Sequence, residues 1–198
     1  MPNVEPLSRE ELAEFEPFFR LAEGALGFVP RSTLTLGRRP QILRAFATLT
    51  AAVLGPGETD PPFKQLIAMV ASVSAGCRYC QAHTSETAAR YGLATEKIAA
   101  VFDFATSDLF SDAERAALRL ARDAAIVPNA TTPEHFAELR EHYSESQIVE
   151  IVSVVSLFGW LNRWNDTMAT ELEEPALDFA SQHLSSHGWK AGKHAGTA

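Results

Sequence analysis

Two thiols and an imidazole fall in one short stretch, Gly76-Cys77-Arg78-Tyr79-Cys80-Gln81-Ala82-His83, and no other cysteine occurs in the chain. A Cys-x-x-Cys pair closes a disulfide with little backbone movement, and a neighbouring imidazole draws off the proton that leaves the reactive thiolate. Cysteine used as ordinary core filler would be scattered along the chain. Gly76 stands just ahead of the pair, so Cys77 is expected at or near a helix N-terminus. There, unpaired backbone N–H groups and the helix dipole favour an anion. Cys80 follows one turn later on a neighbouring position of the same face, and His83 lies again within side-chain reach. The arrangement supports a two-step cycle: one thiolate attacks an electrophile such as a peroxide oxygen, and the second thiol resolves the sulfenic acid into a disulfide.

Other chemistry was open to the same residues. Cys77, Cys80, His83 and Glu86 are all metal-ligand types, but successive three-residue steps drift around a helix, and zinc sites usually recruit ligands from a second segment that this chain lacks. The pair could also be two small buried residues, with His83 a surface histidine.

Composition narrows the partners. The chain of 198 residues has 46% hydrophobic and 21% charged residues and a formal net charge of −8. That length suits one sizeable core. The acidic balance argues against nucleic acid or an anionic membrane and leaves small molecules or a protein as partners. Met1-Pro2-Asn3-Val4-Glu5-Pro6 has neither a basic start nor an apolar run, so no signal peptide is expected. The apolar stretch 148–161 is interrupted by Glu150, Ser153, Ser156 and Gly159 and reads as a buried helix rather than a membrane span. A cytoplasmic protein is expected, and in a reducing cytosol such a thiol pair is more often catalytic than a structural staple.

The elements that must position the thiols read as helices with marked breaks. Ser8-Arg9-Glu10-Glu11 is a capping-box pattern ahead of Leu12, Phe15 and Phe19, and Pro17 is expected to kink or split that helix. Pro40 opens a second helix that Gly55-Pro56-Gly57 closes, and Asp60-Pro61-Pro62 starts a third that runs to about Gly76. The cysteine helix then ends at Gly92, and further capping boxes stand at Ser111 and Ser144. Strand signals are nearly absent. The expected fold is an all-α single domain over residues 1–187, followed by a polar, flexible tail over 188–198.

The segment from Lys64-Gln65-Leu66-Ile67-Ala68 to Cys77-Arg78-Tyr79-Cys80-Gln81-Ala82-His83 resembles the carboxymuconolactone decarboxylase-like superfamily, in its alkyl hydroperoxide reductase D-like and peroxidase-related branch. Gly27-Phe28-Val29-Pro30, Arg39-Pro40-Gln41-Ile42-Leu43 and the stretch from Phe158-Gly159-Trp160 to Asn165-Asp166-Thr167 are similar to flanking parts of that family, so the likeness spans about residues 27–173. The resemblance implies an all-α helical bundle assembled as a homo-oligomer, usually a trimer or hexamer. It implies thiol-dependent hydroperoxide reduction with no bound cofactor: a redox-active Cys77–Cys80 disulfide, recycled by an external dithiol such as a lipoylated protein. Carried over by position, Cys80 would be the peroxidatic thiol, Cys77 the proton donor and resolving thiol, and His83 part of the proton relay.

The departures matter. The redox-active members place a glutamate where this chain has Gln65, which cannot shuttle a proton as a carboxylate does. Their histidine follows the second cysteine by four residues, not three, and Tyr79 stands where some members carry a second histidine. Glu86, three residues past His83, is the nearest substitute carboxylate to orient the imidazole. A lyase or isomerase using the same pocket for acid–base chemistry, as the superfamily's lactone decarboxylases do, is the alternative activity. Trp160 and Trp164, four apart on one helix, read as core or subunit-interface packing.

Overall fold

The computed structural model describes residues 1–196, and every element of regular structure among them is a helix. Ten α-helices follow in chain order. They are α1 (Glu16–Leu26), α2 (Arg31–Leu36), α3 (Pro40–Leu54), α4 (Pro61–Ala75) and α5 (Arg78–Arg90). After these come α6 (Thr95–Ala99), α7 (Asp112–Ala125), α8 (Pro133–Arg140), α9 (Glu145–Met168) and α10 (Glu174–His183). Among the described residues no helix is long and apolar enough to cross a membrane.

The starts are where the sequence places them. Ser111 and Ser144 each accept a hydrogen bond from the third residue of their helix, whose side chain returns one, closing both capping boxes. Ser8 and Glu11 make the same reciprocal pair, but a 3₁₀ turn follows and gives way at Pro17, which sits in the first turn of α1 and splits the segment. Asp60 caps α4 by its backbone alone, the two prolines behind it setting the first turn.

The core forms around α4, with α5, α7 and α9 packed against it and α10 laid on α5. A second cluster, Leu12, Phe15, Phe19, Leu36 and Leu43, joins the N-terminal helices to Trp164 of α9. Those helices roof the space between α5 and α9.

A buried ammonium and a half-buried carboxylate tie the roof to the core. Lys64 is 1% exposed, and its Nζ donates to the carbonyls of Val53 and Gly55 at 3.0 Å each, satisfying the unpaired C-terminal end of α3. Glu150 of α9 lies 3.8 Å from that ammonium and accepts from the N–H groups of Glu58 and Thr59. Removing Glu150 leaves the buried Lys64 ammonium with its two carbonyl partners but no counter-charge, which destabilises the fold.

The C-terminal segment differs from expectation. Residues 188–195 are not a free tail: Trp189 and His194 are 3% and 1% exposed, the Trp189 indole donates to the carbonyl of Arg78 at 3.2 Å, and Leu172 N–H donates to the carbonyl of His194 at 2.9 Å. A tryptophan and a histidine in an otherwise polar stretch carry too little periodicity to announce this packing. Residues 197–198 of the expected tail lie outside the described residues.

Candidate active site

The thiols sit at a corner between two buried helices. Gly76 adopts φ +77°, where a side chain would be strained, and ends α4 with a pair of closing hydrogen bonds: its own N–H to the carbonyl of Val73, and Cys77 N–H to the carbonyl of Ser72, both at 3.1 Å. The residue that completes this C-terminal cap of α4, Cys77, is also the N-cap of α5. Gln81 pins the corner, its amide donating to the carbonyl of Ser72.

α5 is polar in sequence yet buried without a break from Tyr79 to Ala88. Its hydroxyls pay for this internally: Thr84 donates to the carbonyl of Cys80, Thr87 to that of His83 and Ser85 to that of Ala82, at 2.7–2.9 Å. Each of these hydroxyls thus has its partner within the helix and none needs water.

Electrostatics separate the two cysteines. Cys77 is held below the ordinary thiol value, chiefly by the hydrogen bond from the Cys80 thiol. Burial opposes the shift, and the N–H groups of Cys80 and Tyr79 at the helix start support it. Cys80 is pushed well above the ordinary value, first by burial and then by its bond to Cys77, while the Asn165 amide donating to its sulfur at 3.5 Å pulls the other way. Of the two sulfurs, Cys77 is therefore the one on which ionisation is favoured. Thiolate absorbance near 240 nm should show the first ionisation shifted below that of an ordinary cysteine. That step should vanish in Cys77→Ala and survive, displaced upward, in Cys80→Ala; an unshifted titration in Cys80→Ala would contradict the assignment.

Only Cys80 of the two faces the cavity under the roof. That cavity, of about 640 Å³, is lined by Cys80, Tyr79, His83, Gln65 and Asn165 together with apolar side chains such as Phe18, Phe46 and Phe158. Its volume falls in the range of small-molecule sites.

The carboxylate that serves His83 is Glu173, the N-cap of α10. His83 Nε2 lies 2.6 Å from its Oε2, the Tyr79 hydroxyl donates to both of its oxygens at 3.2 and 3.3 Å, and the N–H of Arg31, at the start of α2, donates to Oε1 at 2.5 Å. Burial would raise the Glu173 carboxyl, but the charge and hydrogen bond of His83, with the Arg31 N–H, hold it below the ordinary carboxylate value. It is ionised at neutral pH and accepts the Nε2 proton, which fixes the tautomer and orientation of the ring. The Tyr79 ring stacks on the imidazole with centroids 4.1 Å apart, and Phe28 meets it edge-on at 5.1 Å, so the ring is fixed from three sides. Burial, and then the charge of Glu173, push the Tyr79 hydroxyl well above its usual value, which keeps it a donor.

Of the residues expected from sequence, Tyr79, Cys80, His83 and Gln65 meet at the cavity, and Cys77 stands behind Cys80. Glu86 does not take the place expected for it: it lies 3.7 Å from Arg90, makes no hydrogen bond to His83 and is raised by burial. The imidazole turns its Nε2 to Glu173 instead, so the partner carboxylate comes from α10 and not from the next turn of α5. Among the described residues no three His, Cys, Asp or Glu side chains converge on a metal position. The missed residue is Glu173, which is ninety residues from His83 and carries no local signal. Asn165, with Asn162, Arg163 and Asp166, is more polar than a core helix wants, which in the sequence marks either an oligomer interface or the helix end near the thiols, and Asn165 does lie against Cys80.

Comparisons with known proteins agree on the family. The carboxymuconolactone decarboxylase family model matches residues 40–123, which contain both thiols. The uncharacterised protein YdfG of Bacillus subtilis strain 168 is 31% identical over 104 residues, 52% of this chain and 68% of that protein. The uncharacterised protein YnjA of Escherichia coli K12 is 28% identical over 109 residues, 55% and 60% of the two lengths. Among solved structures, the debrominase Bmp8 superposes with a TM-score of 0.86 at 37% identity, covering 90% of this chain and 96% of that one. A cysteine-to-alanine variant of Bmp8 has been solved in complex with 2,3,4-tribromopyrrole. A peroxidase-related protein with an alkylhydroperoxidase core from Ralstonia eutropha JMP134 shares the fold, with a TM-score of 0.73 at 21% identity over 88% of this chain and 90% of that one. The helical architecture, the thiol corner and these likenesses together place the chain in the carboxymuconolactone decarboxylase family.

Proposed function

We propose that the chain is a thiol-dependent oxidoreductase whose Cys80 attacks an electrophilic atom of an apolar small molecule and whose Cys77 then closes the disulfide. The observation that carries this reading is a single thiol on a largely apolar cavity, with a second thiol buried three residues away at the start of the same helix. With substrate bound, the Cys80 proton passes to Cys77 and the Cys80 sulfur attacks. His83, anchored on Glu173, returns a proton to the leaving group. Cys77 then displaces the group left on Cys80.

Two substrate classes meet this chemistry. With an organic hydroperoxide, expected from the family resemblance, the O–O bond breaks. The products are an alcohol, water and the disulfide. With a halogenated aromatic heterocycle, a carbon–halogen bond is replaced by carbon–hydrogen, halide leaves, and the same two thiols are oxidised. The near full-length likeness to Bmp8 favours this second class, and so does Gln65, which supplies no carboxylate for the relay of the hydroperoxide-reducing members. An external dithiol, such as a lipoylated protein, completes the cycle in either case. The expected setting is a homo-oligomer, trimeric or hexameric, in the cytosol.

Supplying excess dithiothreitol and either cumene hydroperoxide or 2,3,4-tribromopyrrole separates the classes: loss of peroxide supports the first, release of bromide the second. Turnover of neither, with conversion of a lactone acid by the Cys77→Ser, Cys80→Ser double variant, would replace this reading with the lyase alternative.

A further inference from the structure

α9 divides two cavities. Phe158, Leu161 and Asn165 face the thiol cavity, whereas Val155, Gly159, Asn162, Arg163 and Asp166 face a groove of about 1040 Å³ on the other side, closed by α7, α8 and the loop between them. Asn162 is 3% exposed, and both its amide oxygen and its amide nitrogen are buried without a hydrogen-bond partner. A buried amide left unpaired at both ends destabilises the fold unless something supplies an adjacent donor and acceptor. Beside it, Arg163 is exposed, and Asp166 pairs with Lys193 at 2.8 Å rather than with Arg163, so the guanidinium also faces the groove without a carboxylate.

The groove runs up to the end of α4, behind which Cys77 is buried. Ser74 and Ala75, the end of α4, form part of its wall. Cys77 follows Ala75 by two residues, which places the two Cα atoms within roughly 7.6 Å. The Asp166 carboxylate, also in the wall, acts on the Cys77 sulfur through space.

Building on the proposed oxidoreductase reading, we propose that this groove binds the reductant, a thiol carried on an amide-containing chain. Its amide pairs donor-to-acceptor with Asn162, and its thiol is delivered on the face of α9 away from the substrate. The thiol attacks the Cys77 sulfur of the disulfide. The S–S bond breaks, Cys80 leaves as thiolate and takes a proton, and a mixed disulfide forms on Cys77. A second thiol of the same class then displaces Cys77 and departs as the oxidised disulfide. Substrate and reductant thus approach from opposite sides of one helix.

The probes are S-methylglutathione and bis-S-methyl dihydrolipoamide, which carry the amide but cannot exchange disulfides. Calorimetry should give saturable binding of at least one. Asn162→Leu should weaken it at least tenfold while leaving the melting temperature unchanged or higher, a combination that a purely structural amide does not produce. Arg163→Gln should weaken only the anionic glutathione form, which tells a peptide thiol from a neutral lipoyl arm. In stopped flow, Asn162→Leu should oxidise at the wild-type rate and be reduced at least tenfold more slowly. No binding of either probe, or unchanged affinity with a lower melting temperature in Asn162→Leu, overturns the proposal. A wild-type protein that binds a probe but never forms the disulfide would instead fault the oxidoreductase reading.

Discussion

Cys80→Ser is expected to lower turnover of the reducible substrate by roughly 10³-fold or more, the scale on which loss of an attacking nucleophile acts. Serine keeps the size and the hydrogen bond to Cys77, so the fold is preserved and the loss reports chemistry. Cys77→Ser should behave differently. Cys80 still lines the cavity in that variant, so a first attack remains possible, but nothing one turn away can resolve it. One thiol should be consumed per chain instead of two, and with a hydroperoxide the product should be a sulfenic acid that adds about 16 mass units. The rate of that first attack should also fall, because the base that receives the Cys80 proton has been removed. Equal single-turnover rates in the two variants would reverse the roles given to the two sulfurs.

Glu173→Gln should lower kcat by about 10²-fold, within the range for loss of a general acid–base group. Three donors converge on this carboxylate, from His83, Tyr79 and Arg31. A glutamine presents one oxygen and an N–H₂ group, so at least one donor meets another donor, and His83 loses the charge that fixes its Nε2 proton. Glu86→Gln is the internal control and should change kcat by less than about twofold, since its raised carboxyl makes no bond to the imidazole. Similar losses in the two variants would contradict the geometry.

The pH dependence of stability follows from the direction of the Glu173 shift. Its folded value is depressed, so its contribution is fully present above the unfolded value of about 4.3 and is lost as pH falls through the lower folded value. Glu173→Gln should therefore lose stability at neutral pH and show a flatter acid limb than wild type, measured as melting temperature between pH 7 and pH 3. Parallel acid limbs in the two proteins would remove Glu173 from that role.

How much of this was legible in the sequence depends on how local the physics is. Helix starts are local, and the capping boxes at Ser111 and Ser144, the prolines after Asp60 and the glycine corner at Gly76 all act within a few residues. The thiol pair was legible for the same reason, since its chemistry is set by spacing on one helix. The burial of α5 was not. Threonines and serines satisfied by carbonyls of their own helix read as a surface face, because periodicity weighs side-chain polarity and not where the hydroxyl is bonded. Glu173 was invisible for a different reason: its meeting with His83 is made by α10 folding back on α5, a contact that no window along the chain contains. The same folding buries Trp189 and His194 in a stretch whose composition reads as a tail.

The most direct test of the central claim is a single turnover followed by intact mass and peptide mapping. Reduced protein is mixed with one equivalent of cumene hydroperoxide or of 2,3,4-tribromopyrrole in the absence of any added thiol. The account predicts, for at least one of them, loss of both free thiols, a decrease of about 2 mass units, and a Cys77–Cys80 disulfide in the peptide that spans the corner. Two free thiols and an unchanged mass after complete conversion of the substrate would contradict it.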